Sequence, residues 1–399
     1  MVNVKDIVDD HIDYSGAARI AEQDFLLLER NNCVPHREDV LFSKDGTIGR
    51  VLIFRDEEPV AVLSSLAILR SEDDLDPDFL AHILRSHHTK RQIEVLSSGS
   101  ALKRIVLQDL AKLAIPRPVV LEEQALIAAI LDTVDDAIRY TEQAIAKLKQ
   151  VRAGLLHDLF TYGINENGDS RDPVRHPEQF KESELGMIPR GWNKCSLKSL
   201  YAIPSRNGLY KTQEAYGSGV LMLHMPQMFR GIKVDASDSA RVMLTDEEVR
   251  RFELLEGDLV FARRSVSYEG AGQCSLIPEL HETLAFESSI IRVRLKQHLA
   301  SSAFVNYFLN SALGFRIRAP LIRQVAVSGV SSEDVGSMEI CLPVDIEEQA
   351  QIVEILDNFH STIDRESETV DKLRLLKHGL MDDLLTGRVR VVDLLSQEE

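Results

Sequence analysis

A dozen residues occur twice in this chain, as LEEQALIAAILD (Leu121–Asp132) and as IEEQAQIVEILD (Ile346–Asp357), at a separation of 225 residues. The similarity continues without a gap over residues 121–161 and 346–386, where 16 of 41 positions are identical. A duplication of this size constrains the fold, because each copy must occupy an equivalent place in it. The chain is therefore expected to consist of two equivalent halves.

Each copy of the repeat has the apolar spacing of a long helix with a narrow hydrophobic stripe. Alternating steps of three and four residues, uninterrupted by proline, are typical of a coiled-coil seam. About 40 residues of helix span about 60 Å, and so long a stripe needs a partner to cover it. The partner we expect is the other copy; two unrelated amphipathic helices, each covering its own domain, are the alternative. The predicted seam residues are Leu131, Ile138, Ile145, Leu148, Leu155, Leu356, Ile363, Val370, Leu373 and Leu380.

Similar sequences also precede the two helices, although the match is weaker there. Residues 79–86 align with 304–311 at the same offset, and each helix is preceded by a proline that marks a boundary. Each half is thus predicted to be a globular α/β domain followed by one long helix. The predicted segments are a first domain (1–118), a first helix (119–160), a linker (161–186), a second domain (187–345), a second helix (346–388) and a C-terminal tail (389–399).

The two predicted domains differ in length at their front ends. The second domain begins with GMIPRGWNKCSLKSLY, which contains the only tryptophan, Trp192. Subtracting the repeat offset places the counterpart of this stretch before residue 1, so the first domain is expected to lack the counterpart of roughly 40 residues. The alternatives are that the first domain is a reduced version, that the chain is a truncated product, or that a segment outside this sequence completes the domain.

The net charge of −17 argues against nucleic acid as a partner of the whole chain, but the charge is unevenly distributed. The helix-bearing segments 119–187 and 346–399 carry −6 and −7, whereas 188–345 carries +1. Residues 288–332 contain six Lys/Arg and no acid, and residues 79–108 contain five against one acid. In an acidic protein, such runs indicate a basic surface that faces DNA phosphates. For any single side chain, the alternative is an ordinary solvent-exposed charge.

Signals for secretion, membrane insertion and catalysis are absent from the sequence. The N-terminus lacks a hydrophobic signal core and no apolar run reaches about 18 residues, which predicts a cytoplasmic protein. The four cysteines form no CxxC pair, and Asp45-Gly46 is typical of a hairpin turn rather than of a phosphate loop. His87 and His88 have no further ligands in a metal-binding pattern. We therefore predict neither catalytic residues nor a metal site.

The order of domain, helix, domain and helix resembles the specificity subunit of type I restriction–modification systems. The residues that carry the resemblance are the two EEQ-headed helices, VLFSKDGTIGRV (40–51), GSALKRIVLQDLAKLAIPRP (99–118) and ELGMIPRGWNKCSL (184–197). The resemblance extends over nearly the whole chain and departs from the family at the shortened front. It implies an α+β fold in which two globular α/β target-recognition domains are separated by two long helices that pair as an antiparallel coiled coil.

The resemblance also implies a function and a set of partners. The chain would supply sequence specificity, and no catalysis, to a complex that recognises a bipartite DNA target. Its partners would be double-stranded DNA, two methyltransferase (modification) subunits that bind S-adenosylmethionine and methylate adenine, and endonuclease/translocase (restriction) subunits that use ATP and Mg²⁺. No cofactor is expected in this chain itself. The alternative is a coiled-coil protein-interaction scaffold without DNA recognition.

Candidate DNA contacts follow from charge and hydrogen-bonding capacity. Arginine recognises guanine, and glutamine or asparagine recognises adenine, through paired hydrogen bonds. The candidates in the first domain are Lys44, Arg50, Arg91, Lys103 and Arg104. Those in the second domain are Arg263, Arg264, Tyr268, Arg316, Arg318, Arg323 and Gln324.

Overall fold

A computed structural model describes residues 1–8, 11–97, 104–183, 186–324 and 327–392 of the chain. The chain divides by its internal contacts into a first unit, Met1–Ile145 with Arg365–Glu399, and a second unit, Ala146–Asp364. The two copies of the repeat form the two longest helices, and each of these helices contributes residues to both units.

The elements are labelled in chain order, with 3-10 helices as η. Before the first long helix lie η1 (Val4–Asp6), β1 (Ile7–Val8), β2 (His11–Ile12), η2 (Tyr14–Gly16), α1 (Glu22–Arg30), β3 (Val40–Ser43), β4 (Val51–Ile53), β5 (Leu66–Leu69), α2 (Pro77–Arg85), α3 (His87–Leu96) and α4 (Leu107–Leu110). The first long helix is α5 (Leu121–Tyr162).

After it come η3 (Pro177–Gln179), β6 (Phe180–Ser183), β7 (Gly186–Pro189), β8 (Trp192–Ser196), η4 (Leu197–Leu200), β9 (Tyr201–Asn207), η5 (Gln213–Ala215), β10 (Tyr216–Leu223), α6 (Met225–Met228), β11 (Ala240–Val242) and α7 (Asp246–Phe252). These are followed by β12 (Leu259–Ala262), β13 (Arg264–Ser265), β14 (Cys274–Leu276), β15 (Leu284–Phe286), β16 (Ile290–Leu295), α8 (Ser302–Leu309), α9 (Ala312–Arg318), η6 (Ala319–Leu321), β17 (Ser328–Gly329), α10 (Ser332–Ser337) and β18 (Glu339–Pro343). The second long helix is α11 (Ile346–Leu384).

Each unit is built on an antiparallel sheet whose central strand is fully buried. In the first unit the strand order is β4-β3-β5, and in the second it is β14-β12-β16-β9. The central strands, VLFS in β3 and LVFA in β12, are buried at every position, which explains why they are apolar on both faces. The weak sequence match between the halves therefore corresponds to an equivalent three-stranded framework.

The same ion pair closes this framework in both units. Asp39, just before β3, accepts two hydrogen bonds from Arg70 at 2.9 and 2.7 Å, and Asp258, just before β12, accepts two from Arg294 at 2.6 and 2.7 Å. Burial disfavours the charge on Asp39, yet the hydrogen bonds from Arg70 and from the amide of His36 outweigh burial and lower the pKa of this carboxyl. In each unit a bidentate pair between a buried aspartate and a partly exposed arginine thus fastens the equivalent strand ends.

The helical part of each unit repeats as well. Asp76 caps α2 by accepting from the amide of Phe79, and Ser301 caps α8 by accepting from the amide of Phe304. Both phenylalanines are buried, and the two capping residues, Asp76 and Ser301, are separated by 225 positions in the sequence. The predicted duplication is therefore confirmed at the level of single hydrogen bonds.

The first glutamine of each long helix ties that helix to the unit beside it. Gln124 accepts a hydrogen bond from the amide of Asp76 at 2.9 Å and donates to the carbonyl oxygens of Asp74 and Pro118. Gln349 makes the equivalent set: it accepts from the amide of Ser301 at 2.8 Å and donates to two carbonyl oxygens, those of Leu299 and Pro343. Both side chains are fully buried, so each must keep its partners.

The glutamate that precedes each of these glutamines binds an arginine in the segment that follows the other long helix. In the first unit, Glu123 accepts from Nε and Nη2 of Arg390, at 2.7 and 2.6 Å, and from the amide of Val391. In the second unit, Glu348 accepts from Arg171 at 2.5 and 3.1 Å. We call these two ion pairs the head clamps. A head clamp requires the start of one helix to lie beside the end of the other, so the helices pair antiparallel within each unit, as expected.

Further partners complete the clamp of the second unit. Glu348 also accepts from the amide of Ile164 at 3.2 Å and from the indole nitrogen of Trp192 at 3.1 Å. Gly163, which ends α5, has a φ of +64°, and a Cβ there would collide with the clamp atoms of Arg171 and Glu348. Glycine is needed at this position both for the backbone conformation and for space.

The burial of the long helices follows the predicted seam. All the predicted seam residues are buried or half-buried, and so are four polar residues at the corresponding positions of the same stripe, Thr141, Arg152, Glu366 and Lys377. One of these, Lys377, donates to both oxygens of Asp135 at 2.5 and 2.7 Å in the first unit. A polar seam residue with a single good partner disfavours other registers of the pair.

The difference in length at the front of the units has a defined structural position. In the second unit Leu223 pairs in parallel with Phe286 and its carbonyl oxygen accepts from the amide of Glu287; in the first unit Val2 forms the equivalent parallel bridge with Val62 and its carbonyl oxygen accepts from the amide of Leu63. Residue 2 thus corresponds to residue 223. Among the described residues of the first unit there is accordingly no counterpart of β8, η4 or β9.

We expect Glu348→Gln to destabilise the second unit by about 1–3 kcal/mol, because it removes the charge that Arg171 neutralises and weakens the two further hydrogen bonds from Ile164 and Trp192. The measurement is amide hydrogen exchange at Ile164, together with the melting temperature. The control is Glu347→Gln, whose side chain is exposed on the same helical turn. Equal exchange at Ile164 in both variants would contradict the clamp.

The clamp of the first unit predicts a dependence on pH. The hydrogen bonds from Arg390, and next the one from the amide of Val391, hold the pKa of Glu123 below its usual range. Its stabilisation should therefore be complete above the ordinary carboxyl pKa of about 4.3 and disappear as the pH falls through the lowered value. Urea midpoints between pH 6 and pH 3 should show this loss in the native chain and a smaller one in Glu123→Gln. Parallel curves for the two proteins would be the opposite result.

Candidate nucleic-acid interface

A loop cluster in the second unit brings three of the predicted DNA contacts together. The chain leaves the buried strand β12 at Arg263 and continues into β13, which pairs with β17. Arg323 lies beside the same strand, because its amide donates to the carbonyl oxygen of Gly329 at 3.0 Å and its carbonyl accepts from the amide of Gly329. A shallow cleft is thereby lined by Arg263, Arg264 and Arg323. We call it the arginine cleft.

The backbone of the arginine cleft is rigidly positioned. The amide of Arg263 donates to the carbonyl oxygen of Ser289 at 2.8 Å, and the carbonyl oxygen of Arg263 accepts from the amide of Val330 at 3.0 Å. A Cβ on Gly329 would lie 2.9 Å from the carbonyl oxygen of Arg263, so the close approach of the two chain segments needs glycine here. Loops anchored in this way to a buried sheet can present side chains with little ordering cost.

The arginine side chains of the cleft retain donors that can bind a ligand. The side chain of Arg323 is 72% exposed and makes one 3.1 Å hydrogen bond to Asp334. Arg264 is exposed, and Arg263 is half-buried with one long bond, 3.3 Å, to the carbonyl oxygen of Ser288. Guanidinium groups have five N–H donors, so each keeps donors for phosphate or for a base edge.

The remaining candidates of the second unit differ in their accessibility. Arg316 and Gln324 are exposed, whereas the hydroxyl of Tyr268 donates to the carbonyl oxygen of Ala319 at 2.8 Å. Arg318 is buried and donates to the carbonyl oxygens of Leu309 and Glu269. Burial lowers the pKa of the Arg318 guanidinium. Arg318 therefore supports the loop cluster from inside, and we leave it out of the contact set proposed below.

Other basic residues of the acid-free run also point away from a shared surface. Arg292 is buried, and burial lowers its pKa, while Arg294 is held by Asp258. The acid-free run therefore places fewer free cations at the surface than its sequence indicates, because Arg292 is buried and Arg294 is paired with the buried Asp258.

The first unit has the same loop framework with a different charge. The amide of Lys44 donates to the carbonyl oxygen of Ser65, and its carbonyl oxygen accepts from the amide of Ile105, as at the equivalent Arg263. Asp45 occupies the position of Arg264 and forms ion pairs with Lys44 at 3.7 Å and with Arg104 at 3.0 Å. The Lys44 side chain is only 8% exposed, so its ammonium group is not presented at the surface, and the same carboxylate partly neutralises the exposed Arg104.

The three remaining candidates of the first unit do not belong to this loop framework or lie outside the residues that the structure describes. Arg50 is exposed and donates to the carbonyl oxygen of Ile7 at 2.7 Å. Arg91 is exposed on α3, at the position equivalent to Arg316 on α9. Lys103 lies outside the described residues.

Sequence reasoning did not single out one exposed side chain at this site. Val266 follows β13 and is completely exposed beside Arg264. An apolar group at a loop tip can contact the methyl group of thymine. The sequence gives only a weak signal for this residue, namely its place between two serines in a loop that is otherwise polar.

The described residues contain one cluster with the spacing of metal ligands, formed by His82, Asp132 and Asp135. Its members have protein partners: His82 is hydrogen-bonded to Asp132 at 2.9 Å, and Asp135 is paired with Lys377. The cysteines are free thiols, and burial raises the pKa of Cys341 to about 11, far from the value of a reactive thiolate. None of the described helices is both long enough and apolar enough to cross a bilayer.

A model of the type I restriction modification DNA specificity domain matches residues 9–150 and 189–374. The chain belongs to this family. It is a DNA specificity subunit of a type I restriction–modification system, that is, a subunit without catalytic activity of its own.

Curated relatives agree with this assignment at low identity. The chain is 27% identical over 329 residues to the type I restriction enzyme EcoKI specificity subunit of Escherichia coli K12, covering 81% of this chain and 67% of that protein. It is 23% identical over 376 residues to the MjaVIII specificity subunit of Methanocaldococcus jannaschii, covering 93% and 83%.

Solved structures show the same fold. A crystal structure of a type I restriction–modification S subunit from M. genitalium superimposes with a TM-score of 0.55 at 16% identity, over 88% of this chain and 83% of that one. A chain from a structural study of the assembly of a type I system gives the same TM-score over 89% and 83%.

The placement of the arginines predicts two different mutational effects. Arg316→Ala should reduce DNA affinity and the salt dependence of binding, with the slope of log K against log salt falling by about 1, and leave stability unchanged.

Arg318→Ala should lower the melting temperature of the second unit, because it leaves the carbonyl oxygens of Leu309 and Glu269 without their donor. Salt titrations of DNA binding and thermal unfolding separate the two. Equal melting temperatures for native chain and Arg318→Ala would contradict the buried role.

Proposed function

We propose that this chain recognises a DNA target made of two separated parts, with one part read by each unit. The observation that supports the proposal is the duplicated loop framework, in which Arg263 and Lys44 occupy equivalent positions held by the same backbone hydrogen bonds. Two copies of one reading framework in a single chain match a target with two half-sites. The fixed separation between half-sites would then depend on the paired long helices, as dimer geometry fixes it in other DNA-binding proteins.

In the proposed complex, the arginine cleft is the main reading site of the second unit. Arg264 and Arg323 present guanidinium groups from anchored loops, and a guanidinium can pair with the two acceptors of guanine in the major groove. Arg316 and Gln324, both exposed, extend the proposed contact set, Arg316 as a phosphate contact and Gln324 as an adenine contact. Tyr268 contributes by holding the loop through its hydroxyl.

The surface with which the first unit would contact DNA carries less positive charge than the equivalent surface of the second unit. Asp45 offsets the charges of Lys44 and Arg104, so more of the phosphate contact falls to Arg50 and Arg91. Lys103 remains a proposed contact from the sequence. We therefore expect rising salt to weaken the binding of the two half-sites to different degrees.

The methyl transfer and DNA cleavage belong to partner subunits in this proposal. Two modification subunits would hold S-adenosylmethionine and methylate adenine in the target, and restriction subunits would use ATP and Mg²⁺. The acidic segments that contain the long helices, with net charges of −6 and −7, suit docking of protein partners and disfavour DNA.

The sharpest test is the map of methylated adenines in DNA from cells that contain this chain and its modification subunit. The proposal predicts a motif of two defined parts separated by a fixed number of unread bases. Arg264→Ala should relax one part only, by about 1–3 kcal/mol of discrimination at a guanine. Arg230→Ala is the control, because its side chain pairs with Asp238 and does not line the cleft. A continuous motif would contradict the two-part reading.

Binding measurements distinguish the proposal from a scaffold that does not recognise DNA. With the modification subunit present, affinity for DNA should fall steeply as salt rises, since phosphate contacts release counterions. A scaffold would assemble with the same partner yet give DNA affinity that is unchanged by Arg264→Ala and Arg323→Ala.

A further inference from the structure

Two exposed valines lie at the end of the paired segments that form the arginine cleft. Val266 directly follows β13 and is completely exposed, and Val327 directly precedes β17, lines the cleft and is 46% exposed. β13 pairs antiparallel with β17, with Ser265 opposite Ser328. Continuing this register by one position places Val266 opposite Val327. Two exposed apolar groups therefore end a two-stranded ribbon, which we call the cleft ribbon (β13 and β17).

The two faces of the cleft ribbon differ in burial. Ser328 is buried and Ser265 is half-buried, so their face is turned toward the interior of the unit. Arg264 is exposed and lies opposite Gly329, where an added Cβ would be 3.9 Å from Cγ of Arg264. Side chains alternate between the two faces along a strand, so Arg264 and Val266 share the solvent face. That face presents a guanidinium group and, two residues further on, an apolar group.

Hydrogen bonds hold the backbone around Val266. The amide of Ser267 donates to Oγ of Ser265 at 3.2 Å, and the amide of Gly270 donates to Oγ of Ser267 at 3.2 Å. The valine side chain gains nothing from burial within the chain, because it is completely exposed. It is nevertheless presented by an ordered backbone. An apolar group presented in this way can bind a ligand with little further loss of conformational freedom.

The first unit contains the base of the same ribbon with a different pair of residues. Asp45 forms an antiparallel bridge with Arg104, at the positions that correspond to Arg264 and Gly329. An ion pair of 3.0 Å joins Asp45 to Arg104 across that ribbon. In the cleft ribbon a glycine is opposite Arg264, so no carboxylate neutralises the guanidinium group across the ribbon. The combination of positive charge with an apolar end fits a nucleic acid better than the core of a protein interface, where charge is depleted.

The major groove of DNA offers chemical groups that match the solvent face of the cleft ribbon. The groove is about 12 Å wide and admits a two-stranded ribbon. Guanine presents two acceptors there for an arginine, and thymine presents a 5-methyl group for an apolar side chain. Residues two positions apart on a strand are separated by about 7 Å, which equals about two base-pair steps of about 3.4 Å. A thymine read by Val266 would therefore lie within about two base pairs of a guanine read by Arg264.

We propose that Val266 and Val327 contact the 5-methyl group of a thymine in the major groove, within about two base pairs of the guanine that Arg264 recognises. The inference rests on the proposed function and names a second base of the half-site that the second unit reads. Val266 and Val327 are specificity residues in this account, because the methyl group distinguishes thymine from the other three bases. Since 5-methylcytosine carries the same methyl group, it satisfies the same contact.

The first experiment uses the full-length chain assembled with its modification subunit and a library of randomised DNA duplexes, from which bound sequences are enriched and read. In the part of the motif that Arg264→Ala relaxes, we expect an A·T pair within about two base pairs of the guanine. Val266→Ser and Val327→Ser should each relax the preference at that pair alone. Both side chains are exposed, so the variants should fold. Val174→Ser is the matched control, since Val174 is 87% exposed and does not line the cleft.

The second experiment changes only the methyl group of the DNA. Uracil in place of the thymine of the enriched duplex should weaken binding by the native complex about threefold to fivefold, which is the effect of one buried methyl group. The same replacement should leave binding by Val266→Ser unchanged, because that variant lacks the contact. When a C·G pair occupies this position, 5-methylcytosine should bind the native complex about threefold to fivefold more tightly than cytosine.

The possible failures of this inference and of the proposed function can be distinguished. A half-site made of G·C pairs alone, or an effect of uracil that is absent from the native complex or equal in Val266→Ser, would overturn the inference and leave the two-part reading intact. Equal weakening of every duplex by Val266→Ser would identify an apolar wedge between base pairs and also overturn it. The absence of any enriched motif with the native complex would overturn the proposed function, and this inference with it.

Discussion

The head clamps are the interaction on which the rest of the structure depends. Glu123 and Glu348 each stand at the start of a long helix and bind an arginine from the chain that leaves the other helix. The carboxylate of Glu123 is fully buried, and a buried charge without its partner costs several kcal/mol. The antiparallel arrangement satisfies both glutamates in the same way. It is therefore favoured over a parallel pair, in which neither clamp could form.

The clamps also position the reading loops, through a short series of contacts. The glutamine beside each clamp binds the loop that caps α2 or α8, and these helices pack on the central sheet. The sheet in turn holds the loops that begin at Lys44 and Arg263. Each unit thus connects the start of a long helix to its reading loop by contacts that the duplication has preserved. Divergence is concentrated at the loop surface, where Asp45 stands in one unit and Arg264 in the other.

The duplication, the two long helices and their pairing with each other could be predicted from the repeat and its heptad pattern. The antiparallel direction of the pair and the family were implied by the resemblance of the chain to type I specificity subunits. The sequence was less informative about the site. Arg318 and Arg292 belong to an acid-free run, yet both are buried, since sequence proximity does not reveal which way a strand or helix residue points. The Glu-Glu-Gln motif suited a helix start, but its partners Arg171 and Arg390 are distant in sequence and carry no motif of their own. Only the identical spacing in both copies marked these residues as important.

The most direct test of the account is zero-length cross-linking of the native chain. The ammonium group of Lys377 lies 2.5 Å from a carboxylate oxygen of Asp135, so a carbodiimide should join them as an amide. Mass spectrometry of the digested protein should then detect a peptide that links residue 377 to residue 135, from one polypeptide. Links from Lys377 only to other acids, or none between the two helices, would mean that the helices do not pair in this antiparallel register and would contradict the account.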